Sequence, residues 1–214
     1  MPKRLSHPTY SILPRRRLLA GAAALIAAPA FIRYADAQTR RLTPAQTEGP
    51  FYPVTLPADT DYDLLAQGER RYTQGQPAWL EGVVTDVDGK PVRGAVVEIW
   101  QCDQQGHYHH PGDGGADPAF QGFGRVTVGA SGEYRFRTIR PAAYSGRTPH
   151  IHLKVRLAQR ELLTTQVYVE GDPHNERDGL WRNLRSADRA ALTAPFKPGA
   201  DGLRAEFPIV VATN

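Results

Sequence analysis

Tyr144-Ser145-Gly146-Arg147-Thr148-Pro149-His150-Ile151-His152-Leu153-Lys154-Val155 is the stretch on which the reading of this chain turns. It gathers two imidazoles, a phenol and a guanidinium within nine residues, a mixture that few structural tasks require. In an extended strand alternate side chains share a face, so His150 and His152 point the same way, about 7 Å apart along the backbone, and Ile151 points to the other side. Two nitrogen donors so placed can converge on one ion. A second phenol, Tyr108, stands upstream in Trp100-Gln-Cys-Asp-Gln-Gln-Gly106-His-Tyr108-His-His-Pro111. Two neutral imidazoles and two tyrosinates form a hard, anionic donor set that suits a trivalent cation, with iron(III) the obvious one. Free tyrosine loses its proton near pH 10, and a bound high-charge cation lowers that value enough for phenolate to exist at neutral pH. Such a site favours the ferric state and acts as a Lewis acid on an electron-rich substrate.

Outward from this stretch the chain reads as short β runs separated by turn signals. Strands are expected at 79–86, 95–101, 124–128, 134–139, 151–156, 164–169 and near 205–211, with turns at Asp88-Gly89 and Ser131-Gly132 and a hairpin joining 151–156 to 164–169. Only 188–194, opened by Ser186 as a cap, reads as helical. The sum is an all-β chain, an antiparallel β-sandwich with little helix. The expected organisation is an export signal at 1–37, an irregular Pro-rich arm at 38–76 and a catalytic sandwich at 77–214.

The amino-terminal reading rests on Arg15-Arg16-Arg17, the small apolar run 20–28 and the A-x-A site Ala35-Asp36-Ala37. The paired arginines suggest the twin-arginine route, which carries folded proteins, so a periplasmic or extracellular destination is expected. The apolar run is too short to span a bilayer comfortably, so no stable membrane span is expected after processing. Six of the 26 basic side chains (Lys3, Arg4, Arg15, Arg16, Arg17, Arg33) and one of the 22 acidic ones (Asp36) fall within 1–37, leaving 20 against 21. The remaining 177 residues therefore carry a net charge of −1 and show no basic stripe with interleaved aromatics, which argues against nucleic acid as a partner. The single Cys102 has no partner for an intrachain disulfide and reads as a buried thiol beside Trp100.

From Thr47-Glu-Gly-Pro-Phe-Tyr-Pro53 to about Pro173 the chain resembles the intradiol ring-cleavage dioxygenases, the group of protocatechuate 3,4-dioxygenase and the catechol 1,2-dioxygenases. The matching pieces are Gly94-Ala-Val-Val-Glu-Ile-Trp-Gln101, Gly106-His-Tyr108, Gly132-Glu-Tyr-Arg-Phe-Arg-Thr-Ile139, Pro149-His-Ile-His152 and Thr165-Gln166-Val-Tyr-Val-Glu-Gly-Asp172. The resemblance implies a non-haem Fe(III) cofactor, a catechol-type substrate and O2 as co-substrate. It implies both oxygen atoms in a cis,cis-muconate-type diacid and no external reductant. Residue by residue, it makes Tyr108 the retained tyrosinate and Tyr144 the axial tyrosinate that leaves when substrate arrives. His150 and His152 become the histidine ligands, Arg147 the cation for negative charge on the ring, and Gln166 a glutamine beside the pocket. A homo- or hetero-oligomer is compatible with it. Glu98 and Asp172 read as structural.

His107, His109 and His110 crowd Tyr108 and could each be the ligand instead, although a solvated loop near the pocket mouth accounts for them. A cupin-type oxygenase also uses His-x-His but needs a Glu a few residues later, where this chain has Leu153, Lys154, Val155 and Arg156. A non-catalytic exported sandwich that serves as a binding module is the other alternative. Only five residues separate Tyr144 from His150, fewer than in the best-known relatives, and a shorter wall suggests an open site that tolerates substituted catechols.

Overall fold

Apolar side chains at every second position, with turn residues between the runs, produce two five-stranded sheets. The computed structural model describes residues 40–213; the export-signal reading of 1–37 lies outside the described residues. In chain order the strands are β1 (Ala66–Gln67), β2 (Arg70–Arg71), β3 (Pro77–Thr85), β4 (Val96–Trp100), β5 (Phe123–Thr127) and β6 (Glu133–Ile139). They continue with β7 (His150–Leu157), β8 (Arg160–Val169), β9 (Thr193–Ala194), β10 (Lys197–Gly199), β11 (Gly202–Glu206) and β12 (Ile209–Val210). Two short helices, α1 (Gly179–Arg182) and α2 (Ser186–Leu192), lie between β8 and β9.

One sheet runs β5-β4-β7-β8-β9; the other is built on β3, which pairs β6 on one side and β11 and β12 on the other, with β10 outside β11. Val97 and Ile99 of β4, Ile151, Leu153 and Val155 of β7 and Val167 of β8 meet Leu80 and Val84 of β3, Phe136 of β6, Ala205 of β11 and Ile209 of β12 in a single buried cluster. This is the sandwich interior. Each of these larger side chains contributes about 1.5–3 kcal/mol when fully buried.

Three details depart from the sequence expectation. The sandwich is not wholly antiparallel: β11 and β12 run parallel to β3, and β9 runs parallel to β8. Long connections make this feasible, since parallel neighbours need a crossover rather than a tight turn. The strand expected near 205–211 starts earlier and is broken in two. Pro208 has no N–H to donate, so pairing lapses there and resumes at Ile209↔Val84 with the same register offset as Glu206↔Glu81. The helix expected at 188–194 is Ser186–Leu192, and its cap position is Arg185 rather than Ser186, without a side-chain cap bond. Ala194 instead pairs with Val169 at the edge of β8, so sheet pairing takes the residues that local propensity assigned to the helix.

The turn after β8 is tied back to the end of β6 by Asp172, which accepts from Arg140 Nη2 at 2.8 Å and from the His174 backbone N–H at 3.0 Å. Burial pushes the Asp172 carboxyl up, but these bonds, the His174 ring and the Arg140 charge outweigh it and hold its pKa below the ordinary 3.8. A carboxyl depressed in the folded state contributes stability above its unfolded pKa and loses it as pH falls through the folded value. Asp172→Asn is therefore expected to cost roughly 1–3 kcal/mol at pH 7. The gap from wild type should close as the pH drops below 3.8, which urea unfolding at pH 7 and pH 3 measures.

Candidate active site

Strand β7 turns Ile151, Leu153 and Val155 into the core, and the same alternation places His150, His152 and Lys154 on its opposite face. That face is covered too, and both histidines are only 1% exposed. The register sets His152 between Trp100 of β4 and Gln166 of β8, and His150 beside Tyr168. The Trp100 ring lies flat on His152 at 4.8 Å and 8°, which fixes the imidazole plane. The two Nε2 atoms stand 3.1 Å apart. His150 Nδ1 donates to the Thr148 carbonyl at 2.6 Å, so its Nε2 carries the lone pair.

Tyr144 opens a tight turn closed by Arg147 N–H donating to the Tyr144 carbonyl at 2.6 Å. Both central residues, Ser145 (φ 42°) and Gly146 (φ 76°), lie in the left-handed region, where glycine is at ease and serine is strained. The turn holds the half-buried Tyr144 ring 5.5 Å from His150 and 5.0 Å from Tyr108, nearly perpendicular to the latter. Tyr108 is 2% exposed, stacks on Phe51 at 4.6 Å, and is fixed through its backbone N–H, which donates to Asp113. The four expected donors thus come together from three separate segments. His107 and His109 do not join them: His107 is exposed beside Asp113, and His109 Nε2 sits 2.5 Å from the Phe120 carbonyl. His110 turns its ring to Phe51 and accepts the Gly112 N–H at Nδ1.

The protonation states follow from burial. Desolvation, reinforced by Arg147, pushes His150 down to about 4, and desolvation with the neighbouring His150 pushes His152 well below the ordinary range. Burial raises both phenols, Tyr108 further by proximity to Cys102 and Tyr144; for Tyr144 the Tyr108 phenol and Arg147 partly offset the rise. The protein alone therefore holds two neutral imidazoles and two neutral phenols. Among the described residues the Tyr108 hydroxyl is buried without a hydrogen-bonding partner. Unpaired polar atoms cost free energy in a dry pocket, and a multiply charged cation would both complete the set and draw the phenols into their anionic form. The donor set fits a hard trivalent ion.

Arg147 is gripped at two points. Its Nε donates to Asp178 Oδ2 at 2.7 Å and its Nη2 to Gln166 Oε1 at 2.7 Å. Gln166 is fully buried and satisfied, since Oε1 also accepts from Tyr168 and Nε2 donates to the Thr47 carbonyl. Sequence reasoning missed Asp178. Its one local signal, an Asp-Gly pair opening a helix, marks a cap and says nothing of Arg147.

The arm segment 44–53 crosses this face of the sheet. Gln46 N–H donates to the Thr164 carbonyl at 2.9 Å, and Tyr52 packs edge-on against Trp100 and donates to Glu98. Lys154 sits 4.0 Å above the Tyr52 ring and pairs with Glu48 and Glu161. Gly49 lies so close that a Cβ there would stand 3.3 Å from His152 Cε1, at φ +74°. Glu98 accepts the Tyr52 hydroxyl, Asp172 is bonded to Arg140 and His174, and Cys102 is buried in one cluster with Trp100 and Tyr108. Burial lifts the Cys102 thiol to about 12, which leaves it inert. A cavity of about 150 Å³ lies between Phe51, Pro53, Trp100, Tyr108 and Phe123. A wider one of about 330 Å³ opens beside Tyr144, Arg147, His174 and Arg177.

A sequence profile of the family described as Dioxygenase matches residues 47–212, the span that holds every one of these side chains. The chain belongs to the intradiol ring-cleavage dioxygenases. It is 34% identical over 187 residues to catechol 1,2-dioxygenase 1 of Acinetobacter lwoffii, covering 77% of this chain and 58% of that enzyme. It is 37% identical over 161 residues to the protocatechuate 3,4-dioxygenase beta chain of Burkholderia cepacia, covering 69% of this chain and 68% of that one. Among solved structures, the dioxygenase domain of a carbohydrate-binding fusion from Streptomyces sp. SirexAA-E superposes with a TM-score of 0.66 at 32% identity, over 81% of this chain and all of that domain. This intradiol chain thus spans less than two thirds of the catechol relative's length.

Proposed function

We propose that this protein opens catechol-type rings with O2 to give cis,cis-muconate-type diacids, using non-haem Fe(III) held by Tyr108, Tyr144, His150 and His152. The observation that carries the reading is the clustering of two phenols with two buried imidazoles whose Nε2 atoms stand 3.1 Å apart. Ferric iron bound there would supply Lewis acidity toward a catechol-type substrate. The two phenols are suited to different tasks. Tyr108 is buried and clamped under Phe51, so it stays. Tyr144 is half-buried on a four-residue turn beside open space, so it can swing out and take one catechol proton at its Oη. Arg147, held by Asp178 and Gln166, presents a fixed cation to negative charge developing on the ring. The short turn and the open cavity beside it favour substituted catechols.

The test is colour and turnover together. Purified protein should contain iron and be red-brown from tyrosinate-to-Fe(III) charge transfer, and should consume O2 with members of a catechol panel to give ring-opened diacids. Tyr108→Phe should weaken both colour and activity. Active protein that contains no iron would overturn the reading; a fully coloured, fully active Tyr108→Phe variant would remove Tyr108 from the ligands.

A further inference from the structure

We infer that Asp178 is a positioning residue, one whose carboxylate sets the plane in which the Arg147 guanidinium faces the donor pocket. The inference rests on the proposed ring-opening activity and adds a residue to it. Asp178 is 1% exposed, and each of its oxygens has two donors. Oδ1 accepts the N–H groups of Leu180 (2.8 Å) and Trp181 (3.0 Å) at the start of α1. Oδ2 accepts Arg147 Nε (2.7 Å) and Thr148 N–H (2.9 Å). Capping a short helix needs one oxygen, and serine or asparagine serves as well as aspartate there. The second oxygen is committed elsewhere, to the strand entrance where Arg147 and Thr148 lead into His150.

A guanidinium is planar, so contacts at Nε and at Nη2 from different directions fix its plane as well as its position. Asp178 supplies the first and Gln166 the second. Arg147 and Tyr144 line the same cavity. Asp178 is itself anchored. Thr148 Oγ1 donates to Asn175 at 2.6 Å, and Asn175 Nδ2 donates to the Val169 carbonyl at 2.9 Å, tying its loop to the end of β8. Releasing Nε would leave Arg147 hinged on one contact, and a displacement of the order of 1 Å at a charge-stabilising group lowers rate about 100-fold.

Asp178→Ser separates the two roles, since serine can still cap α1 but offers Arg147 no carboxylate. In metal-free protein labelled with 15N, the Arg147 Nε–H resonance should exchange slowly with solvent in wild type and rapidly in the variant. After iron loading, the variant should keep wild-type colour while kcat for catechol falls on the order of 100-fold and KM changes little. In an Arg147→Ala background the same substitution should lower kcat no further, because residues acting through one another are not additive. Should Asp178→Ser fail to fold, Asp178→Asn provides the same comparison, its amide N–H set against Arg147 while its oxygen caps the helix. Unchanged exchange at Nε–H, or an unchanged kcat, overturns the inference while leaving the ring-opening reading intact. Iron-loaded wild type that turns over no catechol overturns the ring-opening reading, and with it the role of Asp178 in turnover.

Discussion

His152→Ala is expected to give a folded, colourless protein that retains almost no iron and opens no catechol ring. The fold should survive because His152 projects from the face of β7 opposite Ile151, Leu153 and Val155, so the shared core of the two sheets loses nothing. The site does not survive. Removing the imidazole takes away one of the four proposed donors and exposes the Trp100 face against which it was stacked. Groups that merely orient a ligand account for 10–100-fold in metal affinity, so loss of the ligand itself should exceed roughly 100-fold. Iron per chain after gel filtration and the visible spectrum check this, with circular dichroism confirming the sheet. A coloured, active variant would exclude His152 from the donor set.

Arg147→Ala separates binding of the ion from catalysis. The four donors keep their positions on β7, the Tyr108 loop and the Tyr144 turn, so iron and colour should remain. Turnover should fall by about 10²–10³, the usual loss when one preorganised charge-stabilising donor is removed. Stability should fall too, because Asp178 would keep a buried carboxylate stripped of its cation, at a cost of about 3–5 kcal/mol. Rates therefore belong well below the melting temperature of the variant. Undiminished turnover would take Arg147 out of the mechanism.

The strands were legible because burial on alternate positions writes itself into short windows. β7 carries its pattern in eight residues, and the donors His150 and His152 come with it. Partners across the sheets were less legible. Nothing local tells 203–206 to run parallel to 78–81, since that pairing is decided by two stretches more than a hundred residues apart. Ala194 was assigned to a helix because its pull toward β8 is likewise distant. Gln166 could be placed beside the pocket only through resemblance, and its bonds to Arg147, Tyr168 and Thr47 arise from three segments meeting. Asp178 was invisible for the same reason: in sequence it is one more acid at the start of a helix, and only the fold brings it to Arg147.

The crossing of the 44–53 segment over the donor pocket has a temporal side. Thr47, whose carbonyl receives the Gln166 amide, precedes that residue by 119 positions in the chain. During synthesis this segment leaves the ribosome long before β7 and β8 exist to receive it. The stretch made earliest among those that wall the pocket is thus obliged to wait and to settle late, and a nascent polypeptide shorter than about β8 has nowhere to lay it down.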